Sequence, residues 1–495
     1  MKRLPLLALL GLLPLAPLAG AGNPAPARPN IVFILSDDLG YGDAVCYGAK
    51  MVKTPNIDRL AREGLRFTDA HATASVCTPT RYALLTGKYA WRQPGTGIAA
   101  GNATLLIKPG TVTLPSMLKQ AGYTTGIVGK WHLGLGETTP DFNKDLKPGP
   151  LELGFDYSFI IPATGDRVPC VFVENHRVVG LDPADPIRVS YGEPIPGQPT
   201  GLTNPEMLII KADRSHSQAI VRGISRIGYM SGGEKARWHD EDIADTLAQK
   251  SVAFLERQKS GHPFFLYLAT HDIHEPMVPH PRFRGTSQCG WRGDVIHQLD
   301  WTVGEVLGAL DRLGFTKDTL VIFTSDNGGA IKNTYDDGTN ALHERQPPNG
   351  ALRGHKGQLY EGGHREPFIA RWPGHIAAGK DSAALFAHVD MLATFAALTG
   401  QTLRAGASPD GVNVLSALLG TPGAKGRESL VLQNNNPSPL ALRAGSWVLI
   451  EKARIHELYD LAADPGQEHD LAAAQPERVK ALAQQLAAER AKTAR

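Results

Sequence analysis

Ile31-Val32-Phe33-Ile34-Leu35, running directly into Ser36-Asp37-Asp38-Leu39-Gly40, decides the fold. Five consecutive apolar residues rich in β-branched side chains read as a strand buried on both faces, as in a parallel sheet. Two acids sit at its carboxyl end. Far downstream, Thr319-Leu320-Val321-Ile322-Phe323-Thr324 repeats the pattern and ends in Ser325-Asp326-Asn327-Gly328-Gly329. In an open α/β sheet, sites gather at the carboxyl ends of strands, so these two clusters can meet there. Taken singly, either pair also suits a helix N-cap or a turn. Together they offer what a hard divalent cation needs, carboxylate and amide oxygens from separate segments.

Between these strands lies Cys77-Thr78-Pro79-Thr80-Arg81, followed by Leu84-Leu85-Thr86-Gly87. By itself this is also a buried cysteine in a proline-containing turn before a helix. It resembles the signature at which sulfatases oxidise a cysteine to formylglycine. Such an aldehyde adds water to give a geminal diol: one hydroxyl attacks the sulfur of a sulfate ester, and the other later expels sulfate. A serine offers one oxygen and would stall as its own sulfate ester. With this signature between the two acidic strand ends, the metal reading prevails.

Three further clusters supply cations and proton carriers. Gly129-Lys130-Trp131-His132-Leu133-Gly134 follows the strand-like run Thr124-Thr125-Gly126-Ile127-Val128, and extended backbone would point Lys130 and His132 the same way. Phe264-Phe265-Leu266-Tyr267-Leu268-Ala269 leads into Thr270-His271-Asp272-Ile273-His274-Glu275-Pro276. The Gly-punctuated stretch from Leu352 to Pro367 carries Arg353, His355, Lys356, His364 and Arg365. Any one of these is commonly a hydrogen-bonded structural residue; their shared position after strands argues for a site.

The chain resembles the type I, formylglycine-dependent sulfatases of the arylsulfatase A-like family, in the alkaline phosphatase-like superfamily. The similarity runs from Asn30 to the Glu457-Leu458-Tyr459-Asp460-Leu461 segment, with the motifs in the family's order. It implies a large mixed, mostly parallel sheet flanked by helices, with a small C-terminal antiparallel sheet plus helix. It further implies one calcium ion bound by Asp37, Asp38, Asp326 and Asn327 with the modified Cys77. Arg81 and Lys130 would hold the sulfate, His132 would take the proton when the second hydroxyl collapses, and His274 and Lys356 would assist the leaving alcohol. His271 is a weaker candidate, since the family's pattern is a histidine, one residue, then proline. A formylglycine-generating enzyme is the implied maturation partner.

The same roles follow from the chemistry. Charge gathers on the leaving oxygen of a sulfate monoester in the transition state, so preplaced cations stabilise it more than the ground state. A metal adds Lewis acidity and orientation. An acid able to protonate an alcohol near neutral pH is a histidine, or a lysine lowered by cationic neighbours; His274 beside Lys356 fits.

At 495 residues and 42% hydrophobic content, the chain is long enough for a large core and a second, smaller unit. Met1-Lys2-Arg3, an apolar stretch from Leu4 to Leu18 and then Ala19-Gly20-Ala21 have the parts of a secretory signal. Cleavage is expected after Ala21. An uncleaved anchor is the rival, but Pro5, Pro14 and Pro17 interrupt the run, which is short for a spanning helix. No cysteine near that point suggests a lipid anchor. An exported, periplasmic or secreted protein is therefore expected, free of the membrane after cleavage. The formal charge is +2, and without Lys2 and Arg3 it is zero, which gives no indication of nucleic-acid binding. Besides Cys77, Cys46, Cys170 and Cys289 permit at most one disulfide, which export allows but does not require.

The expected organisation is a signal over 1–21, a Pro/Ala-rich linker over 22–29, a catalytic domain over 30–400 and a C-terminal subdomain over 401–495. Strand and helix alternation points to a doubly wound sheet. Helices are expected at Asn56 to Gly64, Thr113 to Gly122, His239 to Ser260 and Asp294 to Leu313. Strand-like pieces at Ser429 to Gln433 and Ser446 to Ile450, then a helix from Pro476, mark the C-terminal unit. Residues 140–235 read as insertions around an active-site rim. Within them Asp166 and Arg167 read as a surface turn, with contact to substrate as the alternative. Rival functions are a phosphomonoesterase or phosphodiesterase on the same fold and an unconverted, non-catalytic binding protein. A sulfated sugar is the preferred substrate class, ahead of an aryl sulfate.

Overall fold

The computed structural model describes residues 28–342, 345–453 and 455–492. The expected signal over 1–21 and most of the expected linker over 22–29 lie outside the described residues. The strand Asn30–Ser36 sits at the centre of a ten-stranded sheet. It pairs in parallel with Thr319–Ser325 on one side and Phe264–Ala269 on the other, and the parallel set continues through Thr124–Lys130 to Tyr157–Ile161. Antiparallel pairing enters toward both margins: Phe368–Arg371 and Leu65–Phe67 beyond Thr319–Ser325, with Lys380–Ser382 in parallel at that edge, and Val173–Glu174 and Arg177–Val178 beyond Tyr157–Ile161. The doubly wound core is therefore flanked by mixed edges.

Ile31 to Leu35, Leu320 to Phe323 and Phe264 to Leu268 are almost wholly buried, so both faces of the sheet are covered and the runs need no polar alternation. The helix Gly290–Arg312 packs against Ile243–Glu256 and Pro55–Glu63. A second group joins Cys77–Thr86, Leu114–Gln120 and Met391–Leu398. The expected helix from His239 begins with a 3-10 turn over Asp240–Asp242 and is α-helical only over Ile243–Glu256. The 140–235 stretch is mostly irregular with short two-stranded pieces, but it contributes to the main sheet the parallel strand Tyr157–Ile161 and the two antiparallel edge strands beyond it, core elements inside what reads as rim.

Register is what builds the site. Ser36 lies opposite Ser325, Leu35 opposite Ala269, and Ala269 opposite Gly129. Asp37, Asp326, Thr270 and Lys130 therefore leave the sheet along one edge. A separate four-stranded antiparallel sheet, Ser429–Gln433, Leu440–Ala444, Trp447–Glu451 and His456–Asp460, carries the helix Pro476–Ala491 through Leu482 and Leu486. Among the described residues all four cysteines are free thiols, so the disulfide that export would allow is absent. No described helix is long and apolar enough to cross a membrane.

Candidate active site

Cys77 opens the helix Cys77–Thr86 and is buried against the sheet edge. A helix N-terminus directs unpaired N–H groups and a positive dipole end at whatever occupies that position, which suits an anion. Thr80 Oγ1 donates to the Ala74 carbonyl and Thr78 Oγ1 to the His132 carbonyl, pinning the turn to its surroundings. One turn along the helix, Arg81 donates from Nε and Nη2 to Asp326 Oδ2 at 2.9 and 2.7 Å, and from Nη1 to the Lys130 carbonyl.

The acids converge as the strand ends predict. Lys130 Nζ lies 2.6 Å from Asp37 Oδ2, and Lys356 Nζ lies 2.8 Å from Asp38 Oδ2. Asn327 Nδ2 donates to Asp38 Oδ1 at 2.8 Å. His274 Nε2 stands 3.8 Å from Asp38 Oδ2. Asp37 Oδ1 and Asn327 Oδ1 are buried with no hydrogen-bond partner among the described residues. These two orphaned oxygens, beside the carboxylates of Asp38 and Asp326, fit a hard divalent cation, whose ligands are oxygens.

The electrostatics follow from burial and neighbours. Burial opposes ionisation of Asp38, but Lys356, His274 and Lys130 outweigh it and hold the carboxyl below its usual range. Burial and the adjacent Asp37 push Asp326 up despite Arg81. Burial also raises the Cys77 thiol, against the pull of Lys130 and Lys356. His274 is pushed down to about 3 by burial and Lys356. For Lys356, Asp38 overcomes burial and secures the ammonium.

His132 reaches Cys77 by a different route from the one extended backbone implies. The strand ends at Lys130, and His132 is left-handed at φ 56°. That turn brings Nδ1 to 3.3 Å from Cys77 Sγ, while Nε2 faces the Ala99 carbonyl at 2.9 Å. A carbonyl only accepts, so Nε2 carries the ring proton and Nδ1 presents a lone pair to residue 77. Burial, Lys130 and Arg167 keep the ring neutral, well below its ordinary titration.

His271 is buried with Nε2 unpartnered. A Cβ on Gly165 would fall 1.9 Å from that nitrogen, so this close approach requires glycine.

The surface-turn reading of Asp166 and Arg167 is overturned. Asp166 is 2% exposed, accepts from Arg167 Nη1 and lies 3.2 Å from His216 Nε2. Glu275 Oε1 approaches the same histidine nitrogen at 3.6 Å. The Arg167 guanidinium is among the charges that disfavour protonation of His132. His216 escaped the sequence reading because nothing periodic surrounds it.

The family model for sulfatases matches residues 29–401. An N-acetylgalactosamine-6-O-sulfatase of Bacteroides thetaiotaomicron is 49% identical over 476 residues, covering 93% of this chain and 92% of its own. Human arylsulfatase A is 34% identical over 498 residues, covering 94% and 88%. A solved Bacteroides thetaiotaomicron structure, described in connection with the metabolism of multiple glycosaminoglycans, superposes with a TM-score of 0.91 at 48% identity, covering 93% of this chain and 99% of that one. Matched by the family model over residues 29–401, and carrying a buried cluster of cations and acids around a cysteine at a helix N-terminus, the chain belongs to the sulfatase family and hydrolyses sulfate esters.

Proposed function

We propose that this sulfatase is exported and removes sulfate from a sugar, with a formylglycine made from Cys77 as nucleophile and one calcium ion held by Asp37, Asp38, Asp326, Asn327 and residue 77. The observation that carries this reading is the pair of buried, unpartnered oxygens on Asp37 and Asn327 beside Cys77's cationic neighbours. When bound, calcium supplies Lewis acidity and a template for sulfate oxygens. Hydrated formylglycine supplies one attacking hydroxyl and a second for release.

The chain's own residues divide the remaining work. Arg81, oriented by Asp326 and the Lys130 carbonyl, and Lys130 itself balance the sulfate charge. His132 Nδ1 takes a proton from residue 77, and the Ala99 carbonyl keeps the opposite ring nitrogen protonated. Lys356 and His274 face the leaving oxygen. A bound ester brings negative charge beside His274, the change that favours its protonated form. Arg167, anchored on Asp166 through Nη1, would contact the sugar with its remaining N–H groups. Similarity to the Bacteroides enzyme points to 6-O-sulfated N-acetylgalactosamine as substrate.

Production with a formylglycine-generating enzyme, followed by mass analysis of the Cys77 tryptic peptide, should show loss of the thiol and gain of a hydrazine-reactive aldehyde. The converted enzyme should prefer 6-O-sulfated N-acetylgalactosamine in a panel of defined sulfated saccharides. Full activity with only unmodified cysteine would remove the nucleophile assignment, and turnover confined to simple aryl sulfates would remove the substrate class.

A further inference from the structure

Away from the Cys77 pocket, a 3-10 turn over Glu361–Gly363 delivers Glu361 and His364 to one side, since residues three apart eclipse in such a turn. His71, at the end of the short strand Ala70–His71, meets them. His71 Nδ1 lies 3.1 Å from His364 Nδ1, and a carboxylate oxygen of Glu361 falls within 4.8 Å of both rings' ligand atoms. All three residues have zero exposure.

The outer nitrogens fix the tautomers. His71 Nε2 lies 2.9 Å from Asp69 Oδ1, and His364 Nε2 lies 3.2 Å from the Leu359 carbonyl. A carboxylate and a carbonyl only accept, so each ring keeps its proton on the outside. Two lone pairs are then left facing each other across 3.1 Å. Neutral rings in these tautomers cannot hydrogen bond to each other, and a cation between them, a shared proton or a metal ion, satisfies both lone pairs while keeping both outer contacts.

Three features favour the metal. Imidazoles that donate their far N–H to a carboxylate and to a backbone carbonyl are oriented as metal-bound histidines are. Two nitrogens on one tetrahedral zinc, each at about 2.0–2.1 Å, stand roughly 3.3 Å apart, close to the separation here. Glu361 is wholly buried and its Oε1 has no hydrogen bond, so a third donor faces the pair. Its charge and that of Asp69 are balanced by Arg365 and Arg443: Arg365 Nε is 2.7 Å from Glu361 Oε2, and Arg443 Nη2 is 3.2 Å from Asp69 Oδ2. With the acids so balanced, affinity rests on the imidazoles, which selects a transition ion over calcium.

We propose that His71, His364 and Glu361 bind one zinc-class transition-metal ion, at a site distinct from the acid cluster beside Cys77. The ion would fasten the Ala70–His71 strand to the Glu361–Arg365 loop. Through Arg443, the C-terminal sheet would join the same anchor.

The test uses the full chain, purified without chelatable metal, exposed to zinc or cobalt, gel-filtered and analysed for metal content. About one zinc per chain should be retained, and cobalt should give the visible absorption and imidazole X-ray scattering of a low-coordinate nitrogen site. His364→Gln and Glu361→Gln should each lower retained zinc at least tenfold while leaving calcium content and circular dichroism unchanged. Should those variants fail to fold, the cobalt spectra of the unaltered chain decide alone. Retention of less than a tenth of an equivalent by the unaltered chain would mean a shared proton only and would overturn the proposal. Undiminished zinc in a folded His364→Gln variant would overturn it equally.

Discussion

Nδ1 of His132 stands 3.3 Å from Cys77 Sγ, with the other ring nitrogen committed to the Ala99 carbonyl. In the proposed reaction this geometry suits His132 to accept a proton from residue 77. His132→Ala should therefore lower kcat about a hundredfold or more and change KM little, because a positioned general base contributes about that much. Rapid-quench measurement should show alcohol released in a burst with sulfate release lagging. Equal slowing of both products would move the role elsewhere.

Asp326 has two duties, pairing with Arg81 and adding an anionic oxygen to the acid cluster. Asp326→Ala should abolish calcium retention and lower activity at least about a hundredfold, the consequence of losing several kcal/mol of charge stabilisation. Calcium at about a hundred times its Kd should stabilise the unaltered protein by ~2.7 kcal/mol, seen as a rise in Tm. The variant should show no such rise. An active, metal-free Asp326→Ala enzyme would refute the ligand assignment.

Why the acids were legible and Asp166 was not has a physical reason. A parallel strand buried on both faces reads as an unbroken apolar run, and the polar residues that follow mark the edge where sites form; Asp37 and Asp326 announce themselves in this way. Asp166 and Arg167 sit among glycines and prolines, where an exposed turn and a buried ion pair have the same composition. Asp166 is met by His216, which in turn packs on Tyr335, and both come from segments far away in the sequence. His132 was legible as a residue and not as a geometry, since only its left-handed backbone turns it onto Cys77. Tyr157–Ile161 was hidden because five residues without a following helix resemble loop.

Arg167 should separate saccharide from artificial substrates. A hydrogen bond to a charged group contributes about 1.5–3 kcal/mol, so Arg167→Ala should reduce kcat/KM for a sulfated sugar by about tenfold to a hundredfold. A small aryl sulfate, with no sugar hydroxyls, should lose far less. Parallel losses on both would show that Arg167 serves Cys77 or His132 instead.

His388 predicts an acid sensitivity of the fold. Its Nε2 lies 3.1 Å from Thr324 Oγ1, its Nδ1 is buried and unpartnered, and burial pushes it down to about 3. A histidine with a depressed folded-state pKa contributes stability above its unfolded value, near 6.5, and that contribution is lost as pH falls toward 3. Each pH unit within this window should cost about 1.4 kcal/mol. In urea unfolding between pH 6.5 and 5, His388→Gln should flatten the dependence by one proton. An unchanged slope would show that the ring is protonated in the folded protein.

His274 and Lys356 both approach Asp38 Oδ2, at 3.8 and 2.8 Å, so they flank one position from two elements. If that position receives the leaving oxygen, the value of His274 depends on how basic the departing alkoxide is. A phenolate leaves unaided, whereas a sugar alkoxide needs a proton as the bond breaks. His274→Ala should therefore cost about a hundredfold or more in kcat on a sugar sulfate and much less on an activated aryl sulfate, with Lys356 still supplying charge in both. A series of aryl sulfates of graded leaving-group pKa should show a steeper dependence of rate on that pKa in the variant. Equal losses across the series would assign His274 to holding Asp38 instead of to the departing oxygen.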